Sequence, residues 1–367
     1  MKIEIYSPTI RRKEMDAVLT AMVEEKIGPG DRSRLLIQTA KEQINFDYAL
    51  ALRSPAVALH LALKALNVKP GQAVVISALS PRYYLQVLLD LQLIPLFCDV
   101  TFDFPCMNRE LIENTIAKKC EGSEIACIVL HHTLGFAPDS ISINELGIPV
   151  IEDISQSYGT WLKPAGSEKE KNEKVKDEQE TSAIKGYENS QFFILGLEER
   201  DMLTAGGGAL LFSMNRKDSS ALRGFAGLAS EYFLPDINAA LAVVQFKELN
   251  RNIERRRDIG EIYVHACLSL ATRTKHKRFI SVNSNDEYNN YSFSLVLETG
   301  LKDVAAYAKK KEIEIENAFE NTIAGAGGCS DCPVSNSLVL RTIQFPMYPR
   351  LRSQDVERIS RLIMTLP

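Results

Sequence analysis

Through the first half of the chain, short apolar runs alternate with stretches whose apolar positions recur every three or four residues. Residues 56–66 carry helical spacing, and Val68-Lys69-Pro70-Gly71 is a turn. Residues 73–77 read as a buried strand, 82–91 as a helix, 94–100 as a strand and 109–118 as a helix. Residues 125–132 and 148–154 are two more strands, and 191–195 and 207–213 add a later pair. Strands separated by helices predict βαβ units and a mostly parallel sheet.

The second half changes character. Residues 236–268 keep helical spacing throughout, with Gly260 expected to mark a bend and Arg255-Arg256-Arg257 expected on a solvated face. Residues 291–298 alternate like a strand, and 303–316 read as a helix running into a short strand. A last helix is predicted over 353–364, with Ser353 as its N-cap. The expected fold class is α/β: a three-layer large domain with a mostly parallel sheet, plus a smaller α+β C-terminal domain. The division falls at 1–243 and 244–367, across the long helix.

Composition narrows this picture. The chain has 367 residues, long enough for two domains, and 45% are hydrophobic, enough for a large core. One segment departs from that average: residues 168–180 hold four Lys, six acids and one apolar residue. It cannot bury enough surface to order itself, so a solvated insertion near 164–186 is expected, with a charge-mediated docking segment as the functional alternative. The net charge of −4 gives no support to a nucleic-acid or anionic-membrane surface. No apolar run reaches the roughly 20 residues of a membrane span. The opening MKIEIYSPTI lacks a secretory leader's apolar stretch, and seven Cys, an odd number, suit a reducing compartment; the expected location is the cytoplasm. Cys329-x-x-Cys332 is the one close Cys pair, but the five His lie elsewhere and Pro333 follows at once, so a zinc or redox role is disfavoured.

Chemistry concentrates after one strand. Asp153 and Gln156 follow the apolar run at 148–151 and Glu152. Such residues either cap the next helix or face a ligand at the end of a parallel strand.

The motifs around them carry a resemblance. VALHLALKALNVKPGQAVVIS, IPLFCDV, IPVIEDISQSYGT, TAGGGALLF, LPDINAALAVVQFKELNRNIERRRDI and CPVSNSLVLRTIQFPMYPRLRSQDVERI occur in the order and spacing of the DegT/DnrJ/EryC1/StrS family. The chain resembles these pyridoxal-phosphate sugar aminotransferases, of aspartate-aminotransferase-like fold type I, over nearly its whole length. The resemblance implies Asp153 paired with the pyridinium nitrogen, Gln156 beside the ring and Ser54 in the phosphate cup. It also implies a dimer with the site at the subunit interface, and a nucleotide-sugar ligand.

The same resemblance exposes losses. The family pattern is Ser-Phe-x-x-x-Lys-x-Leu, two residues, then Gly-Glu-Gly-Gly. Counting back from Gly207-Gly208 puts Arg200 at the lysine position, and residues 190–208 contain neither Lys nor His. Histidine matters because the dehydratase branch uses it there. A guanidinium stays protonated and is a very poor nucleophile. The phosphate-cup Ser-Gly-Thr-Ala is here Ser54-Pro55-Ala56-Val57, which loses an N–H and a hydroxyl. Pro81 stands at the ring-stacking aromatic, with Tyr83 and Tyr84 expected in core or surface roles. Glu231 replaces an Asn near the phosphate, and Gly206 replaces the motif's acid.

The expected function is therefore a catalytically inactive or repurposed homologue, binding or regulatory, in nucleotide-sugar or related metabolism. No cofactor is firmly expected; pyridoxal or pyridoxamine phosphate would be held otherwise than as a conventional lysine aldimine. The expected partners are a second copy or an active paralogue. The alternative is an active aminotransferase or dehydratase on a nucleotide-linked keto sugar. A third reading has Arg200, Asp153 and Arg82 binding an acidic substrate.

Overall fold

The computed structural model describes residues 2–120, 122–160, 189–271, 274–280, 287–298 and 300–367. The charged run 168–180 and the rest of the expected 164–186 insertion lie outside the described residues.

Two helices, α1 (Arg12–Val23) and α2 (Asp31–Ile44), precede strand β1 (Tyr48–Leu52). Alternation follows: α3 (Pro55–Ala65), β2 (Ala73–Ser77), α4 (Arg82–Asp90), β3 (Ile94–Cys98), α5 (Arg109–Lys119), β4 (Ile125–His131), α6 (Ser140–Asn144) and β5 (Val150–Asp153). Then come β6 (Phe192–Gly196), β7 (Ala209–Ser213), α7 (Arg216–Arg223) and the long α8 (Asp236–Leu270). The C-terminal part holds β8 (Phe293–Val296), α9 (Leu301–Lys310), β9 (Glu316–Asn317), α10 (Pro333–Arg341), β10 (Thr342–Phe345) and α11 (Ser353–Met364).

Every residue of β2, β5, β6 and β7 is buried, as strands covered on both faces require. They sit in a seven-stranded sheet of order β1-β7-β6-β5-β4-β2-β3. Only β7 runs against the rest: it pairs antiparallel with β6 and with β1, while the other neighbours are parallel. The smaller domain has a three-stranded antiparallel sheet, β8-β10-β9. The large α/β domain and the smaller antiparallel domain follow the fold expected from the sequence.

The 35-residue α8, about 50 Å long at 1.5 Å per residue, runs through the expected boundary at 243/244. Three local expectations are corrected here. Gly260 marks no bend: the helix continues through it, and a Cβ there would lie 2.9 Å from Asn290 Oδ1, so the glycine serves close packing. Nor is Arg256 on a solvated face. It is buried and donates through Nη1 to the carbonyls of Tyr291 (2.9 Å) and Met347 (2.6 Å), with Asn290 O at 3.3 Å. Burial lowers its pKa to about 10, so it remains charged at neutral pH. Finally, Arg352 occupies the N-cap of α11, without a side-chain cap bond, and Ser353 is the first helical residue.

Candidate active-site cleft

β4 and β5 pair in parallel with His131 opposite Asp153, so both strands end at the crevice where open α/β sheets take ligands. A cleft of about 330 Å³ lies there, closed on its far side by the segment around β9. Asp153, Gln156 and Arg200 all line it. Pro55 lines it as well, although Ser54 is not among its walls.

Asp153 is fully buried and well supplied with donors. Its Oδ2 accepts from the hydroxyls of Tyr83 (2.9 Å) and Tyr84 (2.8 Å), side by side on the first turn of α4. Its Oδ1 accepts from the Ser155 N–H (3.0 Å) and, at a shorter distance, from Ser155 Oγ. His131 Nδ1 stands 3.7 Å from Oδ2, too far for a hydrogen bond. Burial works to raise this carboxyl's pKa, but His131 and the Ser155 donors outweigh it and hold it well below the usual carboxylate range. Asp153 is thus ionised at neutral pH. Tyr83 and Tyr84 are pushed the other way, by burial and then by the Asp153 charge, and stay protonated donors.

A second carboxyl shares the space. Asp201 lines the cleft and accepts from the Glu198 N–H at 2.8 Å. Burial, aided by the charges of Asp153 and Glu198, raises its pKa to about 7. A side chain at Gly196 would put its Cβ 2.2 Å from Asp201 Oδ2, so that glycine makes room for the acid. Glu198 and Glu316 also line the cleft. Its walls therefore carry four carboxyls, with Arg200 as their one permanent cation among the described residues.

Arg200 does not point its charge at Asp153. Its Nη1 meets Glu316 Oε1 at 2.6 Å, joining the large domain to β9, and its guanidinium stands 5.7 Å from the Tyr6 ring centroid. Gln156 Oε1 accepts from the Leu134 N–H at 2.7 Å and so holds a loop. Ser54 Oγ accepts from the Val57 N–H at 3.3 Å: it caps α3, with Pro55 at the first helical position. Pro81 lines the cleft at the ring-stacking position. Arg82 and Glu231 are exposed and are not among the lining residues, so the reading that sets Arg82 beside Asp153 is corrected. Tyr84 is in the core, as expected, while Tyr83 also lines the cleft, and both hydroxyls reach Asp153. Sequence reasoning also missed Asp201, whose signal was an acid next to Arg200 in a stretch without Lys or His.

Away from the cleft, Cys329 and Cys332 are buried at the start of α10, with Cys332 Sγ 3.7 Å from Phe97 O. Behind β5, His132 bridges Ser157 Oγ (2.7 Å) and Glu152 Oε2 (2.9 Å) in a sealed polar network.

A sheet with one reversed strand, a small domain tethered by a long helix, and an aspartate at the end of β5 define the aminotransferase fold type I. The chain belongs to the DegT/DnrJ/EryC1/StrS aminotransferase family, whose model matches residues 8–169 and 210–364. The stretch between these matches contains Arg200 and Asp201. GDP-perosamine synthase of Vibrio cholerae is 22% identical over 349 residues, covering 88% of this chain and 87% of that protein. A Streptococcus pneumoniae chain solved in apo, PLP and PMP forms superposes, in its PLP form, with a TM-score of 0.81 at 16% identity, covering 99% of this chain and 98% of that one. The E. coli GDP-4-keto-6-deoxy-D-mannose-3-dehydratase, solved with bound hydrated PLP, superposes with a TM-score of 0.79 at 13% identity, covering 99% of each chain. No helix among the described residues is long and apolar enough to cross a membrane.

Proposed function

We propose that this chain is a catalytically inactive or repurposed member of its family, with a binding or regulatory role in nucleotide-sugar or related metabolism. The observation that carries the reading is Arg200. The residue at the family's lysine position is a guanidinium engaged by Glu316, and no lysine lines the cleft among the described residues. An arginine cannot supply the free amine that transamination requires. We further propose residues 1–243 and 244–367 as the two domains, a cytoplasmic location, and a dimer with a second copy or an active paralogue. The exposed Met15, Leu19 and Met22, at helical spacing on α1, support an association surface.

The relatives favour a second reading. Two of them are named for GDP-linked sugars, and one of these holds PLP, which supports an active aminotransferase or dehydratase on a nucleotide-linked keto sugar. The two readings part in one assay. The purified chain is incubated with a GDP-linked 4-keto sugar, L-glutamate and added PLP, and the products are resolved by mass. The first reading expects neither aminated nor dehydrated sugar above the no-protein control; enzyme-dependent product of either kind selects the second.

A further inference from the structure

We infer that pyridoxal phosphate has no seat in this cleft, because the protein's own side chains occupy the contacts the cofactor would need. The inference goes beyond loss of the lysine, and it rests on the family reading proposed above.

Three parts of the seat are filled or altered. A protonated pyridine nitrogen needs a carboxylate oxygen free to accept from it. Asp153 Oδ2 already accepts from Tyr83 and Tyr84, and Oδ1 from both donors of Ser155. A ring nitrogen would have to displace a tyrosine hydroxyl from that oxygen. The phosphate end fares no better. Helix α3 opens on Pro55, which has no N–H, Ala56 has no hydroxyl, the Val57 N–H is taken by Ser54 Oγ, and Ser54 is not among the cleft walls. The third part is charge. Asp153 and Glu198 face the cleft as carboxylates and Asp201 as one in part, while Arg200 is already paired with Glu316, so a phosphate dianion enters a negative field. Restoring an amine at position 200 changes none of these three.

Binding and turnover are measured separately. Wild type, Arg200→Lys, and Arg200→Lys combined with Tyr83→Phe are dialysed against PLP and, in parallel, PMP, and retained cofactor is read by absorbance and calorimetry. Circular dichroism confirms that each variant is folded. Wild type and Arg200→Lys are expected to retain neither cofactor, with Kd weaker than about 1 mM. Stoichiometric micromolar binding by either protein overturns the inference; binding by Arg200→Lys alone does so by showing that only the lysine was missing. Removing the Tyr83 hydroxyl, which lines the cleft and releases one of the two contacts on Oδ2, is expected to tighten PLP binding at least tenfold over Arg200→Lys. A folded double variant that gains nothing also overturns it. Wild type that binds PMP without turnover sinks this inference and leaves the proposed function standing. Turnover without retained cofactor does the reverse.

Discussion

Arg200 reaches across the cleft to Glu316, Nη1 to Oε1 at 2.6 Å, and so ties the large domain to β9 at the mouth of the site. Both side chains retain solvent contact, at 47% and 22% exposure. Screening limits what such a pair contributes, and Arg200→Ala is expected to cost less than about 1 kcal/mol in urea unfolding. A loss above about 2 kcal/mol would mean that the bridge holds the domains together rather than merely joining them.

The two tyrosines on Asp153 are expected to respond differently to the same change. Tyr84 is fully buried, so Tyr84→Phe strips a hydrogen bond from a buried carboxylate with no water to replace it. The expected cost is about 1–3 kcal/mol. Tyr83 lines the cleft, where water can take over the hydroxyl's role, and Tyr83→Phe should cost under about 1 kcal/mol. Equal losses in parallel urea titrations would contradict this assignment.

Asp201 should make stability fall with pH. Its pKa is about 7 in the folded chain, against roughly 3.9 for an unperturbed Asp. Between those values the folded state binds the extra proton, so stability declines as pH rises from about 4 to about 7 and levels off above. Asp153 has the opposite shift, so its contribution is complete above about pH 4 and is lost only in acid; it adds no slope in this window. Asp201→Asn removes the Asp201 slope. The difference in urea midpoint, variant minus wild type, is expected to grow from about pH 5 to about pH 7. A constant difference would show that Asp201 titrates normally.

Arg256 is a buried cation whose partners are backbone oxygens. Arg256→Met keeps much of the volume but strands the carbonyls of Tyr291 and Met347, and should cost more than about 2 kcal/mol. Arg256→Lys keeps the charge but has one nitrogen on a shorter stem, and it should recover only part of that loss. Full recovery by lysine would show that charge alone matters there.

The order of strands and helices was legible because burial on both faces leaves a simple mark: short runs dominated by apolar residues, AVVIS at 73–77 and those leading to His131 and to Glu152-Asp153. The long helix was equally plain from its period. What the period could not show was which polar residue on that helix is buried. Arg256 sits in a run of three arginines that looks solvated, and only the carbonyls arriving from around 291 and 347 reveal otherwise. The cleft was half legible for the same reason. Asp153, Gln156 and Arg200 could be found by position in a motif. The tyrosine hydroxyls on Asp153 come from residues seventy and sixty-nine places earlier, and no local pattern records that meeting.

Ile3 bridges in parallel to Ile313, with its N–H on Glu312 O and its carbonyl accepting from Glu314 N, before α1 packs along α8. The chain thus crosses between the two domains near its start and again along α8. These crossings, with the bonds from Ile323 N to Ser80 O and from Ala324 N to Ala78 O, fasten the smaller domain to the larger at several separate points. Tyr6 lies on the first crossing and Arg200 rests near its ring. A fusion joined at the amino terminus would therefore sit against the smaller domain rather than the larger one.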